Sequence, residues 1–295
     1  MRNMNDLVCG ILRKLLVMGV FHRLPDKPYL ELMYYAHFGR KLDWETPKTL
    51  NEKVQWLKLY DRNPEYARMV DKYEAKQYVA EKIGEEYIIP TLGVWDDPDQ
   101  IDFDALPDQF VLKTTHGCGG VVICKDKTAF DFAQCRNTLW DSLRKNYFLW
   151  GREWPYKLVK PRVIAEAYMV DQNLNELRDY KILCFHGEPE NVMVCTGRAQ
   201  GRVKYYFFDW DWHFLPLNHG DELLPETFTL EKPENLDKMF RLAKKLSAGI
   251  PLVRVDFYEV NGQVYFGELT FYPDSGVDRD ILPSTDRMFG EMLRL

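Results

Sequence analysis

The chain has 295 residues, of which 46% are hydrophobic and 28% are charged, and its formal net charge is −6. These proportions are typical of a folded globular protein and give no compositional sign of disorder. The negative charge argues against a broad basic surface for phosphate backbones, so we expect no nucleic-acid partner. The length allows one large unit with several lobes or two domains.

Cysteine spacing and the N-terminal segment indicate where the protein works. The six cysteines include no C-x-x-C pair and no zinc-ligand spacing, so we interpret them as reduced thiols of a cytoplasmic protein. Asp6, Arg13 and Lys14 interrupt the first apolar run and disfavour a secretion signal. Residues 7–21 either pack against the protein or form a basic amphipathic helix at the inner face of a membrane.

Helical patterns dominate the first part of the chain. Thr49 followed by Glu52 is a capping-box signature and predicts a helix over residues 49–60. A second helix is predicted from Asp71, with Lys72 in its first turn.

Short strands follow, separated by turn residues. The predicted strands are residues 88–90, 110–113, 121–124, 163–166, 180–185, 191–195 and 203–208. Further helices are predicted at residues 132–143 and 236–246, before a hairpin of residues 252–260 and 264–270.

The hairpin carries two carboxylates, and its register decides whether they meet. A two-residue turn at Asn261-Gly262 would put Asp256 and Glu268 on opposite faces. A shift by one residue, through a three-residue loop or a bulge, pairs Val260 with Val264 and sets the two acids opposite each other. We favour the shifted register because it separates an apolar face from a polar one.

The paired acids predict a metal site. Two carboxylates directly across a strand pair have Cβ atoms about 4.5–5.5 Å apart, where they repel unless a cation or a proton intervenes. Mg²⁺ is the expected cation because it takes one or two protein carboxylates and completes its shell with water and phosphate oxygens. The alternative is that Arg254 pairs with one of the acids on an exposed face.

A second pattern is typical of phosphate binding. Lys113 ends a predicted strand and is followed by the glycine-rich residues 114–120 and by another strand. Glycines allow backbone N–H groups to approach phosphate oxygens, and a lysine adds a mobile positive charge. The pattern is neither a P-loop nor a dinucleotide-binding turn, and a plain tight hairpin is the alternative.

Asp209 and Asp211 form a D-x-D triplet, which in glycosyltransferases binds a divalent metal with a nucleotide-sugar. Alternating aromatic residues surround the triplet, and they favour a strand that runs into a polar turn.

Taken in order, the motifs resemble the ATP-grasp superfamily and, within it, the TupA-like branch of teichuronopeptide and capsular polysaccharide biosynthesis. The resemblance covers about residues 47–276. Its most specific phrases are TLNEK at 49–53 with WLK at 56–58, DKY at 71–73, FVLK at 110–113, DYK at 179–181, RVDFY at 254–258 and FGELTF at 266–271.

The resemblance implies an α+β fold of the ATP-grasp type, in which two α+β lobes clamp a nucleotide behind a helical N-terminal extension. We place the helical region at residues 1–70 and the ATP-grasp domain at residues 71–295. Within that domain, we expect a small lid lobe at about 108–165 and a metal-binding lobe at about 166–295.

The resemblance also implies ATP and Mg²⁺ as cofactors. The residues implied in nucleotide binding are Lys72, Lys113, Gly117, Gly119, Gly120, Glu166, Ala167, Met169 and Arg198. Asp256 and Glu268 match the magnesium ligands, and Thr270 stands where many relatives have asparagine. Asp171 and Glu176 are both candidates for the acid that binds ribose.

The implied activity is a ligase that activates a carboxylate as an acylphosphate and joins it to an amine. Arg254 and Lys181 are the implied catalytic residues, and Lys181 and Arg198 are placed near the γ-phosphate or the acceptor. By analogy with the branch, we expect a uronic-acid sugar or polysaccharide precursor as the carboxylate and an amino acid or amine as the co-substrate. A sugar kinase on the same fold, a glycosyltransferase and an ATP-binding scaffold without activity are the alternatives.

Overall fold

The computed structural model describes residues 4–171, 177–197, 201 and 203–295. Within these residues the helices are α1 (Met4–Val17), α2 (Asp26–Phe38), α3 (Leu50–Tyr60), α4 (Glu65–Val70), α5 (Glu74–Ile83), α6 (Phe132–Leu143), α7 (Phe148–Gly151), α8 (Leu236–Ser247) and α9 (Pro283–Met292). The strands are β1 (Thr91–Trp95), β2 (Phe110–Thr114), β3 (Val122–Cys124), β4 (Val163–Ala167), β5 (Asp179–Phe185), β6 (Glu188–Thr196), β7 (Lys204–Phe208), β8 (Phe214–Leu215), β9 (Leu252–Val260) and β10 (Gln263–Thr270).

The strands form two antiparallel sheets. One has four strands in the order β1-β4-β2-β3, and the other has six in the order β10-β9-β5-β6-β7-β8. Each sheet has its own hydrophobic core: α6 packs on the smaller sheet, and α8 packs on β5, β6 and β9 of the larger one. Mixed helices and antiparallel sheets agree with the predicted α+β class.

Two predicted element boundaries are wrong by a few residues. Residues 88–90 precede β1, which begins at Thr91, because Pro90 has no N–H to donate to a neighbouring strand. Lys72 lies before α5, because the Asp71 carboxylate accepts hydrogen bonds from the backbone N–H groups of Tyr73 (2.8 Å) and Glu74 (3.2 Å) and the helix starts only there.

The N-terminal helix α3 begins as predicted and is joined to the end of the chain. The Thr49 side chain accepts from Glu52 N, and the Glu52 carboxylate accepts from Thr49 N, so the capping box is complete. From this helix, Asn51 donates to Asp278 O, and Lys53 donates to the carbonyls of Gly290 and Leu293. Helix α3 therefore fixes the position of the segment that follows β10.

A strained turn lies in that segment. Asp274 and Ser275 both have left-handed backbones, with φ of 45° and 54°, a conformation that costs a non-glycine residue about 1–2 kcal/mol. Buried Lys58 of α3 donates to Ser275 O (2.6 Å) and to Ser275 Oγ (2.9 Å), and Ser275 Oγ donates to buried Glu153 (2.8 Å). Burial lowers the pKa of Lys58 and raises that of Glu153, and the opposite charge of each partner resists the shift.

We predict that Lys58→Met destabilises the protein by about 3–5 kcal/mol, because it leaves Glu153 buried without its cation. Denaturant unfolding measures this effect. The double variant Lys58→Met/Glu153→Gln should lose less stability than the two single changes summed. The control is Lys244→Met, which removes an exposed ion pair with Glu188 and should change stability by no more than about 0.5 kcal/mol. Equal losses from Lys58→Met and Lys244→Met would contradict the assignment.

Candidate functional site

The β9–β10 hairpin brings the two predicted metal-binding acids together, although its turn differs from the predicted one. Val260 pairs with Gln263, so the two-residue turn at Asn261-Gly262 does form, and the expected pairing of Val260 with Val264 is wrong. Both turn residues have positive φ, as this turn type requires.

A bulge at Gly267 then shifts the register and sets Glu268 opposite Asp256, as predicted. A side chain at the bulge would be crowded, because a Cβ at position 267 would lie 3.1 Å from Asp256 O and 3.2 Å from the Tyr258 ring.

Asp256 is the most enclosed charged group of the site, with 1% of its surface exposed. Arg254 binds both of its carboxylate oxygens, at 2.7 Å and 2.9 Å, and Lys181 of β5 contacts Oδ2. Burial opposes ionisation, but the charges of Arg254 and Lys181 outweigh it and hold the pKa of Asp256 below its usual range. Lys181 also lies 3.4 Å from Asp179.

The acid pair retains acceptor positions that suit a hard cation. A carboxylate has about four lone-pair positions, and Asp256 uses three of them on Arg254 and Lys181. Glu268 Oε1 faces Arg254 (3.3 Å) and Thr270 (3.4 Å), while Oε2 accepts no hydrogen bond within the part of the chain that the structure describes. One open position on each acid fits Mg²⁺, which takes one or two protein carboxylates and fills its remaining positions with phosphate oxygens and water.

Arg254 bridges the predicted ligands. Its NH2 group lies 3.3 Å from Glu268 and donates to Thr270 Oγ1 at 3.1 Å, so one guanidinium contacts both acids and the threonine. It therefore does more than pair with a single acid on an exposed face. Arg254 does not line the adjoining cavity, so the structure shows it positioning the acids. Its contact with an acceptor stays a prediction, as does metal ligation by Thr270.

A second buried carboxylate, Glu166 of β4, lies on the opposite wall. Lys113 of β2 contacts Glu166 Oε2, and Lys76 of α5 lies 2.7 Å from Oε1. Burial opposes ionisation, but the two ammonium groups outweigh it and lower the pKa of Glu166. We expected backbone contacts to adenine from Glu166, and the structure shows that its side chain orients two lysines. The sequence analysis did not predict a role for Lys76, because no motif near Lys76 indicates that its partner is Glu166, 90 residues further along the chain.

The glycine-rich loop covers this region. Lys72 donates to Gly117 O, and the aromatic ring of Tyr147 packs against Gly117, where a Cβ would come within 2.9 Å of the ring. Gly119 and Gly120 have φ of 89° and 62°. Glycine thus meets a steric need at Gly117 and a conformational one at the two later positions.

The two walls enclose a cavity of about 490 Å³ between the sheets. Five lysines line it: Lys72, Lys76, Lys113, Lys125 and Lys181. Its apolar lining includes Ile88, Ile89, Val111, Ala167, Met169, Leu177 and Phe266, and Asp256 and Glu268 complete it. An apolar slot beside concentrated positive charge suits a planar base joined to a phosphate chain.

Other predicted residues lie elsewhere. Asp171 accepts from Asn261 N at 2.8 Å and so ties the hairpin turn, away from the cavity lining. Arg198 and Glu176 lie outside the described residues. Asp209 follows β7 at the edge of the six-stranded sheet opposite β10, and its carboxylate accepts from His213. The D-x-D triplet is thus a turn, remote from Asp256 and Glu268.

Two sheets that enclose a lysine-lined cavity, with an acid pair on one wall, define an ATP-grasp fold. The TupA-like ATPgrasp family matches residues 52–294, and the chain belongs to this family. The match confirms the recognition and the fold class predicted from the sequence. ATP-grasp ligases as a class use ATP and Mg²⁺.

Solved structures with this fold are more distant. D-alanine–D-alanine ligase from Bacillus anthracis in complex with ATP is 16% identical with a TM-score of 0.43, over 76% of this chain and 63% of that one. The D-alanine–D-alanine ligase from Helicobacter pylori is 15% identical with a TM-score of 0.44, over 82% and 67%. The chain thus spans about 63% of the first ligase's length. No curated protein matches it in sequence.

The glycine-rich loop offers a matched pair of substitutions. We predict that Gly120→Ala weakens ATP binding about tenfold, a cost of about 1.4 kcal/mol, because a Cβ there would lie 2.2 Å from Ser142 Oγ and 2.8 Å from Thr114 Oγ1. Gly119→Ala is the control, since it also has positive φ but meets nothing within 4 Å. Calorimetric titration with ATP measures both. Equal effects of the two substitutions would show that the backbone conformation alone determines the structure of the loop, and that the close contact with Ser142 and Thr114 does not matter.

Proposed function

We propose that the protein is an ATP- and Mg²⁺-dependent ligase that joins a carboxylate to an amine through an acylphosphate. The observation that carries the proposal is the cavity that five lysines line together with the Asp256–Glu268 pair. ATP supplies the phosphoryl group that activates the carboxylate, and Mg²⁺ offsets the charge of the phosphates. Family membership supports this class of reaction.

The residues on the two walls have complementary tasks in this proposal. Lys72, Lys76 and Lys113 neutralise the phosphate chain, and the N–H groups of the glycine-rich loop approach it from above. Asp256 and Glu268 hold the cation, while Arg254 keeps their carboxylates aligned. Such preorganised charges contribute most where water is excluded.

The chemistry balances without a protein nucleophile. A carboxylate oxygen of the substrate forms a bond to the γ-phosphorus as the bond to ADP breaks. The amine then attacks the acyl carbon, phosphate leaves, and the nitrogen loses a proton. In this proposal, the ammonium group of Lys181 stabilises charge that develops on the transferred phosphoryl group; its position in the cavity lining beside the acid pair supports that role.

For the substrates, we propose a uronic-acid sugar or polysaccharide precursor and an amino acid or amine, in capsule or exopolysaccharide assembly. The TupA-like family assignment supports this choice. We also propose that the protein is cytoplasmic and that residues 7–21 contact the inner face of the membrane. A sugar kinase on the same fold is the second candidate, because the same cavity suits transfer to a hydroxyl group.

The metal pair is tested by binding. We predict that Glu268→Gln weakens Mg²⁺-dependent ATP binding at least tenfold, measured by calorimetry with and without Mg²⁺, because an amide is a poorer ligand for a hard cation. Glu268 is the cleaner position, since its side chain is 43% exposed, whereas Asp256→Asn also removes a buried charge that Arg254 and Lys181 need.

The matched control is Asp209→Asn/Asp211→Asn, which should leave ATP binding unchanged. Tighter binding of a UDP-sugar than of ATP, lost in this control variant and retained in Glu268→Gln, would sink the proposal and favour a glycosyltransferase.

Product analysis separates ligase from kinase. Incubation with ATP, Mg²⁺, glucuronic acid derivatives and a mixture of amino acids should give an amide, ADP and phosphate in equal amounts, detected by mass spectrometry and phosphate release. A phosphosugar and ADP without free phosphate would identify a kinase. Omitting the amine should suppress amide formation while ATP binding persists.

A further inference from the structure

Helix α1 is apolar on two faces. One face, with Cys9, Leu12 and Leu16, packs towards α2 and belongs to a small core of its own. On the outer face, Met4, Leu7, Val8 and Ile11 recur at helical spacing, and they are 42–79% exposed. A helix that is apolar on both sides is normally covered on both.

The exposed apolar surface continues beyond the helix. Val17, the last residue of α1, is 66% exposed, and Met18, Val20 and Leu24, which lie between α1 and α2, are 74%, 56% and 36% exposed. Contiguous apolar surface of this kind marks an interaction site rather than ordinary protein surface. We call these residues and the outer face of α1 the N-terminal apolar face.

A basic cavity adjoins this face. It has a volume of about 610 Å³, and Leu7 and Ile11 of the N-terminal apolar face belong to its lining. Arg13, Lys14, His37 and Arg279 also line it, opposite a single acid, Asp6. Arg279 comes from the segment after β10, so the tertiary structure and not the helix alone brings these charges together. The chain as a whole has a net charge of −6, so this local excess of positive charge gives one part of its surface the opposite sign.

We propose that the N-terminal apolar face lies on a lipid bilayer and that the basic cavity beside it takes the phosphate of an anionic lipid headgroup. Apolar side chains enter the boundary between headgroups and acyl chains, and the basic groups contact phosphate at the level of the headgroups. Within the described residues no helix is long and apolar enough to cross a bilayer. The inference rests on the proposed membrane location and not on the proposed reaction.

The cavity explains why the occupant is a charged membrane and not a second copy of the chain. An apolar interface between two copies would bring the two sets of basic residues close together, and like charges there are unfavourable. An anionic bilayer supplies apolar and negatively charged partners at the same surface.

Vesicle sedimentation of the full chain tests this proposal. We expect binding to vesicles of phosphatidylcholine with phosphatidylglycerol, weaker binding to phosphatidylcholine alone, and a fall in binding as salt is raised. Ile11→Asp should abolish binding, and Lys14→Glu/Arg279→Glu should reduce the affinity at least fivefold for each charge removed.

Two controls match these changes. Leu223→Asp alters an apolar side chain that is 83% exposed outside this surface, and Lys245→Glu alters an exposed lysine of α8. Both should bind vesicles like the wild type. Thermal unfolding and ATP binding of every variant show that a loss on vesicles is not a loss of fold or of the nucleotide site, so this inference and the proposed function fail separately.

Each of the following results would overturn the proposal. Failure of the wild type to bind either kind of vesicle would exclude a lipid bilayer as the partner of the N-terminal apolar face. Equal binding to both vesicles, or full binding by Lys14→Glu/Arg279→Glu, would show that the basic cavity does not bind an anionic headgroup. A dimer by light scattering that Ile11→Asp converts to a monomer, without vesicle binding by the wild type, would assign the N-terminal apolar face to a second copy.

Discussion

The carboxylate of Asp256 is buried, and it stays ionised only because Arg254 and Lys181 surround it. An unpaired charge at this depth would cost several kcal/mol. The three groups come from adjacent strands, so their contact fixes the alignment of β5 with β9, and the Gly267 bulge then places Glu268 beside them. The geometry of the proposed metal site therefore depends on one ionic cluster and one glycine.

The opposite wall repeats the same device. Glu166 is buried between Lys113 and Lys76, as Asp256 is buried between Lys181 and Arg254. In each case a buried acid holds flexible lysines in one orientation at the cavity. In the proposed site, these lysine side chains are already ordered before phosphates bind. Phosphate binding then costs less side-chain entropy, and this preorganisation increases affinity. Glu166 thus positions Lys113 and Lys76, whereas Asp256 is also a proposed ligand of Mg²⁺.

The N-terminal helices serve two different purposes. Helix α3 is built into the body: its Lys58 reaches the strained turn at Asp274-Ser275, which follows directly from the strand that carries Glu268. Strain of this kind persists only where surrounding contacts enforce it. Helix α1 instead presents apolar side chains outward. The expected boundary at residue 70 lies between α3 and the C-terminal segment in the chain, and hydrogen bonds from Asn51 and Lys53 join these two parts.

Local features and family membership were predictable from the sequence. Neighbours within a few residues determine the capping box of Thr49 and Glu52, most strands, and the lysine and glycine motifs. Local sequence patterns therefore predict these features well. The sequence also predicted that Asp256 and Glu268 lie opposite each other, although the turn that it predicted was wrong. Only the tertiary structure decided that Lys76 meets Glu166, that Gly267 carries the register shift, and that Arg279 joins Arg13 beside α1. These contacts join residues far apart in the chain, and their energies arise from burial and sheet order, which no local pattern encodes.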